Sequence, residues 1–156
     1  MIDVQIAIPE LDALVRRFAA GPAIVADEME RAMQAAVLDV EGEVVERTPV
    51  DTGRLRNAIV SEVRGQGPEI VGIVGVANVP YAVPVERGSR PHLIVPRRAK
   101  ALRFRVGGRV VFSRWARHPG FRGAHMFRDG ARASEPLVRA RFAQALRRVN
   151  ERLGGR

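Results

Sequence analysis

Cysteine is absent from this sequence, so disulfides, thiolate nucleophiles and cysteine zinc sites are excluded together, and packing, polar contacts or oligomerisation must hold the fold. Aromatic residues are scarce, at 5%, which leaves little for stacking on nucleobases. No run of about 18 uninterrupted apolar residues occurs, and the start MIDVQIAIPELD places no basic stretch ahead of its apolar residues. Neither a membrane span nor a secretory signal is indicated, and the expectation is synthesis in the cytoplasm. Lysine occurs once against 25 arginines. A G+C-rich genome would produce that bias, although arginine is also the better residue for bidentate interface contacts.

What is present is an ordinary globular composition, 46% hydrophobic and 28% charged over 156 residues, enough for one domain (1–156) with its own core. The net charge of +9 is unevenly spread. Residues 1–50 carry ten acids and four arginines, residues 51–86 four acids and three arginines, and residues 87–156 three acids against eighteen arginines and Lys100. A chain so divided suits either a polyanionic partner or contacts between copies, the acidic part of one against the basic part of the next.

Along the chain, the alternation Ile2, Val4, Ile6, Ile8 suggests a strand. Pro9 and Glu10 then open a helical pattern with Leu11, Leu14, Val15 and Phe18 on one side, which Gly21-Pro22 interrupts. A long helix over about 22–47 follows, with Val25, Met29, Met33, Val37, Val40 and Val44 at helical spacing, read as core, and Pro49 ends it. Residues 58–64 and 69–77 are β-branched runs around Gly65-Gln66-Gly67-Pro68 and read as a hairpin. A second hairpin is expected over about 101–113. There a three-residue loop pairing Val106 with Val110 would gather the apolar side chains on one face, and is preferred over a two-residue Gly-Gly loop.

Between the hairpins, Pro80, Pro84, Pro91 and Pro96 forbid a long helix over about 80–100 and predict a long proline-rich surface loop of the kind that contacts partners. A C-terminal helix is expected over about 134–153, N-capped by Ser134 and stopped by Gly154-Gly155, with a separate turn or two earlier in GAHMFRDGARA. The expected class is therefore α+β: a small antiparallel sheet of two hairpins, spanning about 58–113, packed against a long N-terminal helix and a C-terminal helix.

Signs of catalysis are thin. His118, His125 and Asp129 share a basic stretch, but no paired carboxylates and no HExxH accompany them, so surface or interface histidines are the better reading. His92, His118 and His125 have no metal-ligand spacing, and the glycines 65, 67, 72 and 75 match no dinucleotide or phosphate loop. Nineteen basic residues in the last seventy could neutralise many phosphates, yet no module for reading bases is present, so any nucleic-acid binding is expected to be non-specific.

The distinctive pieces are TPVDTGRLRNAI (48–59), YAVPVERGSRPHLIVP (81–96), LRFRVGGRVVF (102–112), HPGFRGAHMFRDGA (118–131) and an amphipathic C-terminal helix. In that order and spacing, over roughly residues 10–152, they resemble the tail-component family of long-tailed bacteriophages, whose members are called neck, head-tail joining or tail-completion proteins. The resemblance implies a non-enzymatic virion subunit without cofactor or metal. It implies a ring, commonly six-fold, between the capsid connector and the tail tube. The implied partners are other copies of the chain, the connector or stopper, and the tail terminator or tube, with genomic DNA passing through the lumen and no membrane involved.

Carried over by position, Asp51, Thr52, Gly53 and Arg54 fall on the family's corner, beside Thr48, Pro49 and Leu55. Tyr81, Glu86, Gly88, Arg90 and His92 fall on its loop, and His118 and Pro119 on the later segment. These eleven are the candidate interface residues. The charge division adds the expectation that Glu86, or acids within 27–46, meet arginines of the next copy. Alternative readings are a tail terminator ring and a basic, non-specific nucleic-acid-binding protein.

Overall fold

The structure, a computed structural model, describes residues 3–6 and 23–153. The helical pattern expected around Leu11 to Phe18 lies outside the described residues. Helix α1 (Ala23–Arg47) ends where expected. Thr48 Oγ1 donates to the Val44 carbonyl at 2.7 Å, which satisfies one of the last-turn acceptors, and Pro49 cannot continue the ladder. Its methionine and valine stripe is buried throughout, Met29, Met33, Val40 and Val44 almost completely.

After a 3-10 turn (Arg56–Ala58), strands β2 (Ile59–Arg64) and β3 (Val71–Val76) form the first hairpin. Strand β1 (Asp3–Ile6) pairs antiparallel on the other side of β3, giving the order β1-β3-β2. Ile59, Val74 and Val76 are buried beneath α1, with Leu55 and Ile70 closing the ends of the layer. The α+β class holds: α1 covers this small antiparallel sheet, and the C-terminal helix packs on α1.

The C-terminal helix differs from expectation. Helix α3 runs unbroken from Met126 to Arg152, eight residues earlier than the expected start at Ser134. Ser134 is no N-cap: it is buried mid-helix and its hydroxyl donates to the Ala131 carbonyl at 3.0 Å. Met126, Gly130, Ser134, Val138, Phe142, Ala145 and Val149 make one buried stripe at steps of three and four, so packing continues through the segment that local signals marked as a break. Pro136 sits on the exposed side, where the acceptor that its missing N–H leaves behind can reach water.

Helices α1 and α3 pack along most of their lengths, and charge crosses between them. Arg141 makes two hydrogen bonds to Asp39 at 2.8 and 3.0 Å, which raise its guanidinium pKa above the ordinary arginine value. Glu28, 1% exposed, accepts from Arg148 Nε at 2.7 Å on one oxygen, while its other oxygen lies 3.3 Å from Arg152 and 3.8 Å from Arg31. Part of the acidity of the first helix is thus neutralised inside the chain. Replacing Arg148 by Ala removes the hydrogen bond to one oxygen of a desolvated carboxylate and should cost about 1–3 kcal/mol, because buried Glu28 cannot regain that bond from water. Urea unfolding checks this, and Glu28→Gln in the Arg148→Ala background should return part of the loss.

Candidate functional site

The remaining elements build one projecting feature. Helix α2 (Ala82–Arg87) takes Pro84 in its first turn, where no amide is required, and hands the chain to β4 (Gly88–Ser89) and β5 (His92–Ile94). Strands β6 (Leu102–Val106) and β7 (Arg109–Ser113) form the second hairpin, and β8 (Ala116–His118) and β9 (Phe121–Arg122) return to α3. The pairings are β4 with β9, β5 with β8 and β6 with β7, all antiparallel. The outgoing chain 88–106 therefore pairs with the returning chain 109–122 in successive ladders. They make a two-stranded arm, separate from the β1-β3-β2 sheet. Residues 95–101 on the outgoing side face only 114–115 on the return, and this excess shifts the register of the distal ladder.

At the tip the expected three-residue loop is corrected. Val106 pairs with Arg109, leaving Gly107-Gly108 as a two-residue turn with φ of +55° and +81°. Two consecutive positive φ values suit a type I′ turn, whose twist matches the strands. The apolar register had only a buried face to recommend it, and there is none: both sides of β6 and β7 are solvent-exposed.

At the root, chain segments 40 residues apart are joined. Ala124 N–H donates to the Val85 carbonyl at 2.8 Å and His125 N–H to the Glu86 carbonyl at 3.1 Å. The Glu86 carboxylate, buried, accepts the Phe127 and Arg128 amides at 3.1 and 3.3 Å. His125, at the N-cap position in a left-handed conformation, makes no side-chain cap bond, so Glu86 caps α3 from across the fold. The backbones pass so closely that a Cβ on Gly88 would overlap the Phe121 carbonyl, and one on Gly123 the Glu86 carbonyl.

The eleven predicted residues fall into two groups. Glu86, Gly88, Arg90, His92, His118 and Pro119 lie on the root and first ladder of the arm. His92 and His118, opposite each other in the β5–β8 register, stack with ring centroids 4.9 Å apart. His118 Nδ1 accepts the Gly120 amide at 3.0 Å, and the His92 Nδ1–H donates to the Arg90 carbonyl at 2.8 Å. Asp51, Thr52, Gly53 and Arg54 occupy the corner after α1, where Arg54 reaches the Asn78 carbonyl at 3.5 Å, just ahead of Tyr81, which is exposed at the start of α2. Glu86, by contrast, is committed to its own chain.

Among the described residues no catalytic set converges. Among the described residues no three His, Asp or Glu side chains gather as metal ligands. The Asp129 carboxyl is held below its usual pKa by hydrogen bonds from Arg128, with the Arg128, His125 and Arg132 charges adding to this, so it is a poor base. A hollow of about 150 Å³ on the outer face of the sheet is lined by Val60, Ile73, Gly75 and Ala77, with Glu62 and Arg64 at its edge. Arg64 binds Glu62 through two hydrogen bonds of 2.8 Å, which lower the Glu62 pKa.

The arm is the unusual surface. Between Glu86 and Asp129 the chain carries eleven arginines and Lys100 and no acid. Leu93, Val95, Val106, Phe112 and Trp115 are all more than half exposed there, Phe112 at 66%. Arginine with exposed aromatic and aliphatic side chains is the composition of protein interfaces, and monomers rarely leave so much apolar surface uncovered. Sequence reasoning found the pieces but missed the arm; the 42-residue stretch without an acid was the available signal.

No curated protein and no solved structure matches the chain. A family profile does, over residues 12–88, under the description "Bacteriophage HK97-gp10, putative tail-component". The matched stretch takes in α1, the corner, the β2–β3 hairpin and α2 up to Gly88, and so contains both the corner motif and the capping Glu86. Over residues 12–88 the chain is thus similar to the HK97-gp10-like family of phage tail components.

Proposed function

We propose that this chain is a structural, non-enzymatic virion subunit of the phage head-to-tail interface. In this reading it forms a ring, six-fold in the habit of the family, that completes the neck or the head-proximal end of the tail and joins connector to tail tube. The observation that carries it is the arm: a basic, apolar two-stranded projection without a core, on a body held together by two long helices. Its exposed side chains need partners, and the candidate interface positions Arg90, His92, His118 and Pro119 lie along it, with Asp51, Thr52, Gly53, Arg54 and Tyr81 as a second contact region. A closed ring uses two different patches on each subunit, as these would be.

Gold-labelled antibody against the chain, applied to phage particles, tests the position. Label at the head-tail junction supports the proposal, and label at the distal tail tip, or only on free protein, contradicts it. The charge of the arm favours one second reading, non-specific binding of DNA, which would be lost as salt rises above about 0.3 M without any preference for sequence.

A further inference from the structure

The acids able to face a neighbour are fewer than the sequence suggests. Asp27, Glu28 and Asp39 pair with arginines of α3, and Glu43 with Arg47. On the solvent side of α1 this leaves Glu30 and Glu46 without a cationic partner among the described residues, and between them stands Leu38, 62% exposed. Residues 23–86 carry eleven acids against five arginines. The arm is the complement, basic throughout and apolar along its distal hairpin, and among the described residues none of the nine arginines of 88–122 reaches an acid.

We propose that the arm of one copy lies along the outer face of α1 of a second copy, the exposed side chains of its distal hairpin around Phe112 covering Leu38, with its arginines against Glu30 and Glu46. The inference rests on the ring reading and names its contact. Charge complementarity selects this face, and burial of Leu38 and Phe112 supplies the apolar centre that a set of exposed ion pairs lacks. A duplex would satisfy the arginines but would leave Leu93, Val95, Val106 and Phe112 against phosphates, so protein is the better occupant.

Because the chain has no cysteine, single introduced thiols report the contact cleanly. Full-length Leu38→Cys and Phe112→Cys chains, both changed at exposed positions, are mixed in equal amounts and treated with a short bismaleimide. The proposal predicts mixed dimers about tenfold in excess of either like-with-like product, decreasing with added salt, and about tenfold fewer when the Leu38→Cys chain also carries Glu30→Arg and Glu46→Arg. Products of the Phe112→Cys chain with itself alone would overturn it in favour of arm-to-arm pairing. Protection of Cys-substituted position 112 by duplex DNA, without mixed dimers, would overturn it in favour of a polyanion. An unmodified chain that sediments as an oligomer while no mixed dimers form would refute the α1 contact and leave the ring standing; a monomer at every concentration, also without mixed dimers, would remove both.

Discussion

Replacing Gly130 by Val is expected to lower the unfolding free energy by about 3 kcal/mol, the upper end of the usual cost of overpacking. At this crossing of α1 and α3 a Cβ on Gly130 would stand 2.7 Å from Val44 Cγ2 and 3.0 Å from the Val44 Cα and N. A side-chain methyl can rotate away, but backbone atoms of a buried helix cannot, so the two helices must separate and loosen the layer that contains Met126, Val44 and Ala145. Gly130→Ala sharpens the argument. On helix propensity alone it would gain about 1 kcal/mol, so a net loss reports the clash. Thermal or urea unfolding followed by far-UV circular dichroism gives both values, and a stabilised Gly130→Ala would show that the helices are not in such close contact.

Glu86→Ala is expected to cost about 2–3 kcal/mol, since it removes a buried carboxylate that accepts two amides at the start of a 27-residue helix. Nothing else in the first turn replaces it: His125 supplies no cap bond, and Asp129 is occupied by Arg128. Glu86→Gln keeps an acceptor oxygen and loses the charge, so it should recover about half of the loss. Hydrogen exchange gives the local signature, with the Phe127 and Arg128 amides losing protection in Glu86→Ala ahead of the rest of α3. Because the neighbouring Val85 and Glu86 carbonyls hold Ala124 and His125, the arm root should loosen with them. Unchanged protection at these amides would refute the capping role.

How much of this was legible in the sequence depended on burial. Helix α1 and the β2–β3 hairpin bury one face each, and the spacing of Met29, Met33, Val37 and Val44, like the β-branched runs around Gly65 to Pro68, recorded that directly. The start of α3 was hidden because Gly130, Ser134 and Pro136 carry the local chemistry of a break. Their positions in three dimensions, two small residues at a tight helix contact and a proline facing solvent, override it. The tip register was not recorded at all in hydrophobic pattern, since neither face of the arm is buried within the chain and turn geometry alone decided. The candidate site was legible as motifs in order. That Glu86 is a cap, and that His92 stacks on His118, required the pairing of segments some 26 to 42 residues apart in sequence, which no local spacing encodes.

The structural role proposed for the head-to-tail interface is tested most directly by stoichiometry in the particle. Quantitative peptide mass spectrometry on purified phage particles would compare the copy number of this chain with that of the portal protein. The account predicts a small, fixed number, close to half that of the portal dodecamer if the ring is six-fold. Absence of the chain from infectious particles, or a copy number in the range of the tail tube subunits, would contradict it.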